Sequence, residues 1–135
     1  RFLEIINPKY ILLGKKDFQQ LILIQKHIEK NKINTKVISC NTVREKNGIA
    51  CSSRNFNLNE KEIEILSKAI NYIKRNKKIM NKKYFLNKLK TFGIKRIDYI
   101  DFLNTKTLKR ANNKKNNFNI FIAFYIGKTR LIDNF

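Results

Sequence analysis

The stretch Tyr10-Ile11-Leu12-Leu13-Gly14-Lys15-Lys16-Asp17-Phe18-Gln19-Gln20, closed by Thr35-Lys36-Val37-Ile38-Ser39-Cys40, decides the fold class. Tyr10 to Leu13 is a short apolar run between Pro8 and Gly14, which predicts a buried parallel strand. Phe18, Leu21, Ile22, Gln25 and Ile28 follow at helical spacing, and Lys30 and Lys32 suit the negative end of that helix. Thr35 to Cys40 is again β-rich. Strand, helix, strand makes a βαβ unit, and one such unit leaves a parallel sheet with unpaired edges. Residues 1–42 therefore read as the last piece of a larger α/β domain.

After Thr42 the character changes. Val43 to Phe56 is polar and irregular, with Gly48 and the pair Ser52-Ser53, and reads as a flexible loop. Asn59 followed by Glu62 has capping-box spacing, with Glu60, Glu62 and Glu64 at the start of a helix and Lys74, Arg75, Lys77 and Lys78 at its end. Ile63, Leu66, Ile70 and Ile73 form its apolar stripe. A second helix over about Lys82 to Phe92 is predicted to bury Phe85, Leu86, Leu89 and Phe92 and to stop at Gly93. Ile97 to Leu103 and Asn119 to Ile126 read as strands, the latter apolar on both faces and so central. Asn112 to Asn117 is a polar loop and the expected disordered segment. Residues 43–135 form a small α+β domain in this reading.

Composition bounds the rest. A chain of 135 residues that is 42% apolar can bury a core without disulfides or metal. Its two cysteines, Cys40 and Cys51, have no metal-ligand spacing, so a reduced, cytoplasmic protein is expected. The longest purely apolar run, Ile120 to Ile126, is too short to span a bilayer, and Arg1 to Glu4 shows no secretory pattern. No membrane partner is expected. Opening on Arg rather than Met, the chain reads as cut from something longer. The net charge of +20 would ordinarily suggest nucleic acid. Yet 23 of the 30 cations are Lys, and Lys, Asn and Ile together supply 63 of 135 residues, all with A/T-rich codons. The charge is also unfocused: eight basic against three acidic residues over 1–42, and 22 against seven over 43–135. Compositional drift on a solvated surface accounts for this better than a nucleic-acid partner.

Three segments carry chemistry. Gly14 to Gln20 sits where a strand ends and a helix begins, the edge at which open α/β sheets bind ligands and helix amino termini favour phosphate. Asp17 and Gln20 also have capping-box spacing, so cap and site stand even there. Val43 to Asn55 offers Ser52, Ser53 and Arg54, hydroxyl donors and a guanidinium that suit a polyphosphate. Ile126 to Asn134 (Ile-Gly-Lys-Thr-Arg-Leu-Ile-Asp-Asn) reads by itself only as a strand followed by a turn.

In this order and spacing the three resemble the pantothenate synthetase (pantoate–β-alanine ligase) family. That family shows Gly-Glu-Lys-Asp-aromatic-Gln-Gln-Leu, then Val-Arg-x-x-Asp-Gly-Leu-Ala-Met-Ser-Ser-Arg-Asn, and closes with Gly-x-x-Arg-Leu-Ile-Asp-Asn. The match runs from about Phe2 to Asn134 and resembles the back half of the enzyme, without the front half that bears a His-x-Gly-His nucleotide motif. The resemblance implies the last βαβ portion of a Rossmann-like nucleotidyl-transferase domain followed by a small α+β domain. It implies ATP-dependent condensation of (R)-pantoate with β-alanine through pantoyl adenylate, with Mg²⁺ as cofactor and a homodimeric complete protein. By position, Gly14, Lys15, Lys16 and Asp17 hold ATP, with Lys16 on phosphate and Asp17 on ribose hydroxyls. Gln20 hydrogen-bonds pantoate. The backbone of Val43 meets adenine, and Ser52, Ser53 and Arg54 close on the phosphates with Cys51 beside them; Lys16 and Arg54 take the catalytic roles. No protein metal ligand is implied.

Three positions depart from the pattern: Lys15 stands for Glu, Cys51 for Met or Leu, and Asn47 for Asp. His27 is expected exposed on its helix and Cys40 packed in its strand. The alternative function, a basic nucleic-acid-binding module, draws on Tyr99, Phe102, Phe124 and Tyr125, aromatics for which core packing is the simpler role. Residues 1–135 alone are expected not to make pantothenate, because the adenylate site needs donors from both halves.

Overall fold

The computed structural model describes residues 2–111 and 117–135. The chain divides into two compact units, Arg1–Thr42 and Val43–Phe135. Five residues of the predicted polar loop, 112–116, lie outside the described residues.

In the first unit a short helix α1 (Phe2–Ile6) precedes β1 (Tyr10–Gly14), helix α2 (Phe18–Lys30) and β2 (Lys36–Cys40). The strands pair in parallel, Tyr10 opposite Lys36 through Gly14 opposite Cys40, so the predicted βαβ unit is present. Thr35, buried ahead of β2, donates its hydroxyl to the Pro8 carbonyl at 2.7 Å and ties the two strand entrances together. From α2, Leu21 and Ile28 are the buried pair. The strand predicted to be buried is not. Leu12 is 66% exposed, and Tyr10 and Ile38 are exposed beside it, because among the described residues β1 pairs with β2 alone.

The second unit is α+β. Helix α3 (Glu60–Arg75) starts on the predicted capping box: Asn59 Oδ1 accepts from the Glu62 N–H and Glu62 Oε2 accepts from the Asn59 N–H, both at 3.0 Å. Glu64 lies past the first turn and pairs with Lys68 at 2.6 Å, which holds its carboxyl below the usual range. Helix α4 (Lys82–Thr91) follows, capped by Asn81 and ending where Gly93 takes φ +96°. Strands β3 (Arg96–Asn104), β4 (Phe118–Ile126) and β5 (Thr129–Asn134) form an antiparallel sheet with β4 in the middle, as its two-sided apolar sequence requires.

Leu66, Ile70 and Ile73 of α3, Phe85 and Leu89 of α4, and Ile100, Ile120, Ile122 and Phe124 of the sheet share one core. Each such side chain stabilises the fold by about 1.5–3 kcal/mol on burial. Three of the four aromatics that favoured a nucleic-acid module are occupied here. Phe124 is buried, Phe102 packs against the core, and the Arg96 guanidinium lies 3.8 Å from the Tyr125 ring centre.

The predicted strand and turn at the carboxyl end are present, β4 ending at Ile126 and the turn falling on Gly127-Lys128, but the chain then folds back on β4 as a further strand, β5, that the sequence reading did not include. Gly127 has φ +55°, a conformation that strains any L side chain, and this backbone is what favours glycine in the turn.

Candidate functional site

In the first unit the residues of interest occupy the junction between β1 and α2. Gly14 ends the strand, Lys15–Asp17 form one 3₁₀ turn, and α2 begins at Phe18. The capping-box reading of Asp17 and Gln20 does not hold. The inserted 3₁₀ turn puts Asp17 at φ −92°, ψ 54°, outside the extended geometry of an N-cap, and its side chain makes no cap hydrogen bond. Its carboxylate is exposed, as is Gln20 in the first turn of α2. Lys15 Nζ donates to Asn41 Oδ1 at 2.8 Å, joining the ends of β1 and β2. Lys16 is half-buried in the same turn. Gly14 has ordinary extended dihedrals, and a Cβ there would meet nothing within 4 Å. His27 is exposed as expected, beside Asn31, and Cys40 is half-buried in β2.

In the second unit the segment Val43–Asn55, expected as a polar loop, carries a network of hydrogen bonds. Arg44 and Ala50 form a bridge around a turn in which the Gly48 N–H donates to the Glu45 carbonyl at 2.9 Å. Gly48 takes φ +89°, and Asn47 Oδ1 accepts from the Ile49 N–H at 3.1 Å, so Asn does the turn work of the usual Asp. Ser67 Oγ and Asn71 Nδ2 both donate to the Asn47 carbonyl at 2.8 Å, fastening the turn to α3. The 71% exposed Val43 accepts the Cys51 N–H at its carbonyl, at 3.0 Å. Cys51 is exposed and directs its thiol to Glu45 Oε1 at 3.4 Å.

Ser53–Asn57 forms a 3₁₀ turn, and Ser52 caps it by accepting the Arg54 N–H. Arg54 Nη1 donates to the Arg130 carbonyl at 3.2 Å across 76 residues of sequence. The guanidinium therefore stands at the wall of a cleft of about 650 Å³ lined by Arg54, Asn57, Glu62 and the turn Gly127–Arg130. Sequence reasoning missed a second contact between the same two motifs. Arg44 forks onto Asp133 with bonds of 2.7 and 2.9 Å. The recurrence of charged residues in both motifs was the available signal.

Among the described residues, no three His, Cys, Asp or Glu side chains come together as a metal site.

A family model described as Pantoate-beta-alanine ligase matches residues 1–135. The pantothenate synthetases of Francisella tularensis subspecies mediasiatica and novicida are each 42% identical over 135 residues. The chain spans about half, 46%, of the length of these curated relatives. A crystal structure of the Francisella tularensis pantoate-beta-alanine ligase, complexed with beta-gamma ATP and beta-alanine, superimposes with a TM-score of 0.78 at 41% identity. It covers 99% of this chain and 46% of that one. The pantothenate synthetase of Thermus thermophilus gives a TM-score of 0.79 at 23% identity over 100% of this chain and 52% of its own, a likeness of fold.

Proposed function

The chain belongs to the pantoate-beta-alanine ligase family, and from that premise we propose that it is the carboxyl-terminal portion of an enzyme that joins (R)-pantoate to β-alanine using ATP. In this reading a pantoate carboxylate oxygen attacks the α-phosphorus of ATP and pyrophosphate leaves. The β-alanine nitrogen then attacks the acyl carbon of pantoyl adenylate, loses a proton, and AMP leaves. Both transition states gather negative charge on oxygen, so aligned cations and donors are what the protein must supply.

One observation carries the reading. At the β1–α2 junction, where α/β sheets receive ligands, Asp17 presents a carboxylate that the helix does not use as a cap. Two oxygens on one planar group suit two neighbouring ribose hydroxyls. Lys16 from the same 3₁₀ turn supplies charge to phosphate, Gly14 gives the nucleotide room to approach, and Gln20 hydrogen-bonds pantoate. Lys15, although turned toward Asn41, adds positive charge to that edge where relatives carry Glu. In the second unit Ser52, Ser53 and Arg54 bind phosphate oxygens beside Cys51, and the carbonyl of Val43 keeps a second lone pair for an adenine amine. Mg²⁺, when bound, would supply charge neutralisation on the phosphates.

A homodimeric, cytoplasmic complete enzyme belongs to the same reading. Among the described residues no helix is long and apolar enough to cross a membrane. The test is AMP formation from ATP, pantoate and β-alanine. Residues 1–135 alone should form none, and the same residues joined to the amino-terminal half of a 42% identical relative should form AMP. No AMP from the joined chain would end the proposal.

A further inference from the structure

We infer that a second cleft in the Val43–Phe135 unit, at the opposite end of β4 from the Arg54 cleft, is a binding site for an adenine nucleoside monophosphate. Its volume of about 570 Å³ falls in the ordinary range for small-ligand sites. It opens where β4 begins, at Asn117, Phe118 and Asn119, whereas the Arg54 cleft takes in the turn that follows Ile126. The nine residues of β4 span roughly 27 Å, so no single nucleotide reaches both. The inference stands apart from the ligase reading.

Its lining joins three kinds of group that a nucleotide needs together. Lys77 and Lys78 give two exposed ammonium groups for a phosphate, and no acidic residue lines the cleft to cancel them. Phe118 and Phe135, half-buried against the core, give rings against which a base can pack. Asn117 carries an exposed amide, a donor and an acceptor on one plane, which matches the N6 amino group and N7 of adenine. Thr105 adds a hydroxyl. Lys77, Lys78, Thr105 and Asn117 spend no side-chain group on a hydrogen bond or ion pair with another described residue. An inorganic anion would use the lysines alone; the rings and the amide call for a base on the same molecule.

The backbone beneath these groups is fastened on every side. Past the end of α3 the Asn76 N–H donates to the Tyr72 and Ile73 carbonyls, and the Ile79 N–H donates to the Asn76 carbonyl at 2.9 Å. That closes the turn which bears Lys77 and Lys78. The Thr105 N–H donates to the Asn117 carbonyl at 3.2 Å. Ile120 and Phe135 exchange N–H···O bonds of 3.0 and 3.1 Å, which sets Phe135 beside the start of β4. A ligand therefore meets backbone already in place, and the cost of ordering falls on side chains only.

AMP titration of the isotope-labelled 135-residue chain at physiological salt, followed by NMR, tests this residue by residue. The Asn117 side-chain amide and the Lys77 and Lys78 backbone N–H signals should move along one saturating curve. Changing Lys77→Gln and Lys78→Gln together should weaken that Kd about tenfold or more, the worth of the charged hydrogen bonds lost. Arginine at both positions should restore most of it. Lys61→Gln with Lys90→Gln removes the same charge from exposed positions on α3 and α4, and should leave the Kd within about twofold. Ribose 5-phosphate, which lacks the base, should bind about tenfold more weakly than AMP. Unmoved signals at Asn117, Lys77 and Lys78, equal losses from the two lysine pairs, or ribose 5-phosphate binding as tightly as AMP overturns the inference. Signals of Asp17 and Arg54 report the ligase site separately, and shifts confined to those two overturn it as well.

Discussion

Arg44 and Asp133, 89 residues apart, form a two-pronged ion pair in which the Asp133 side chain is only 4% exposed and that of Arg44 18%. Period-two alternation in β5 puts Asp133 on the same face as the core residue Leu131, opposite Ile122. A carboxylate there needs a partner, and Arg44 supplies it. The same guanidinium donates to the Gly48 and Asn134 carbonyls and lies 5.0 Å from the centre of the Phe135 ring. One side chain thus locks the Val43–Asn55 segment to the last strand.

Arg44→Met should therefore cost about 3 kcal/mol, because it strands a buried charge. Adding Asp133→Asn should recover part of that loss, since Asn keeps the oxygen that accepts the Asn134 N–H at 2.9 Å. Urea unfolding of both variants at an unchanged slope measures it. A single variant within about 0.5 kcal/mol of wild type would mean the pair is energetically idle.

Much of the fold was legible because its signals are local. Asn59 and Glu62 are three residues apart, and the stripe Leu66, Ile70 and Ile73 repeats at helical spacing, so adjacency alone specifies α3. Strand β5 was not legible. Its alternation is hidden by Asp133 and Asn134, polar residues only 5% and 9% exposed, whose burial depends on Arg44. The exposed face of β1 was also misjudged, since the apolar run Tyr10 to Leu13 specifies a strand but not how many neighbours cover it. At the β1–α2 junction, spacing could not say whether Asp17 caps the helix; the 3₁₀ turn at Lys15–Asp17, which no sequence signal marked, decides that it does not.

Alkaline stability should depend on Tyr72. Desolvation, and after it the hydroxyl contact with Tyr84, push its phenol up to about 12 from 10. A group whose folded value is raised contributes stability that is whole below the unfolded value and fades as pH climbs through the folded one. The contribution is then intact below pH 10 and lost between about 10 and 12. Tyr72→Phe should flatten that part of the stability–pH curve relative to wild type. Parallel curves from pH 9 to about 12 in a denaturant series would refute the assignment.

Gly14→Ala separates a nucleotide role from a structural one. Gly14 sits at φ −71°, ψ 134°, with open space where a Cβ would go, so alanine fits the backbone without strain. Stability should hold or rise by about 0.5 kcal/mol, as glycine-to-alanine changes do at compatible positions. In the joined, complete chain the added methyl should raise the KM for ATP several-fold if the nucleotide passes close to the backbone there. A fall in stability instead would show a neighbour the glycine was accommodating.

Asp17 gives the sharpest division. With no cap bond to lose, Asp17→Ala should leave the urea midpoint of the 135-residue chain within about 0.5 kcal/mol of wild type, whereas removing a working cap costs about 1 kcal/mol. Asp17→Asn keeps one acceptor oxygen but forfeits the charge and the second oxygen facing a ribose. In the joined chain it should raise the KM for ATP while the KM for β-alanine stays within about twofold, because only the nucleotide touches that carboxylate in the proposed arrangement. A full ion-to-neutral change in a hydrogen bond is worth roughly 1–2 kcal/mol, so the expected rise is about tenfold. Paired substrate titrations and melts on both variants decide the matter. An unmoved KM for ATP in Asp17→Asn, together with a depressed midpoint in Asp17→Ala, would make Asp17 a structural residue and remove the main support for nucleotide binding at this junction.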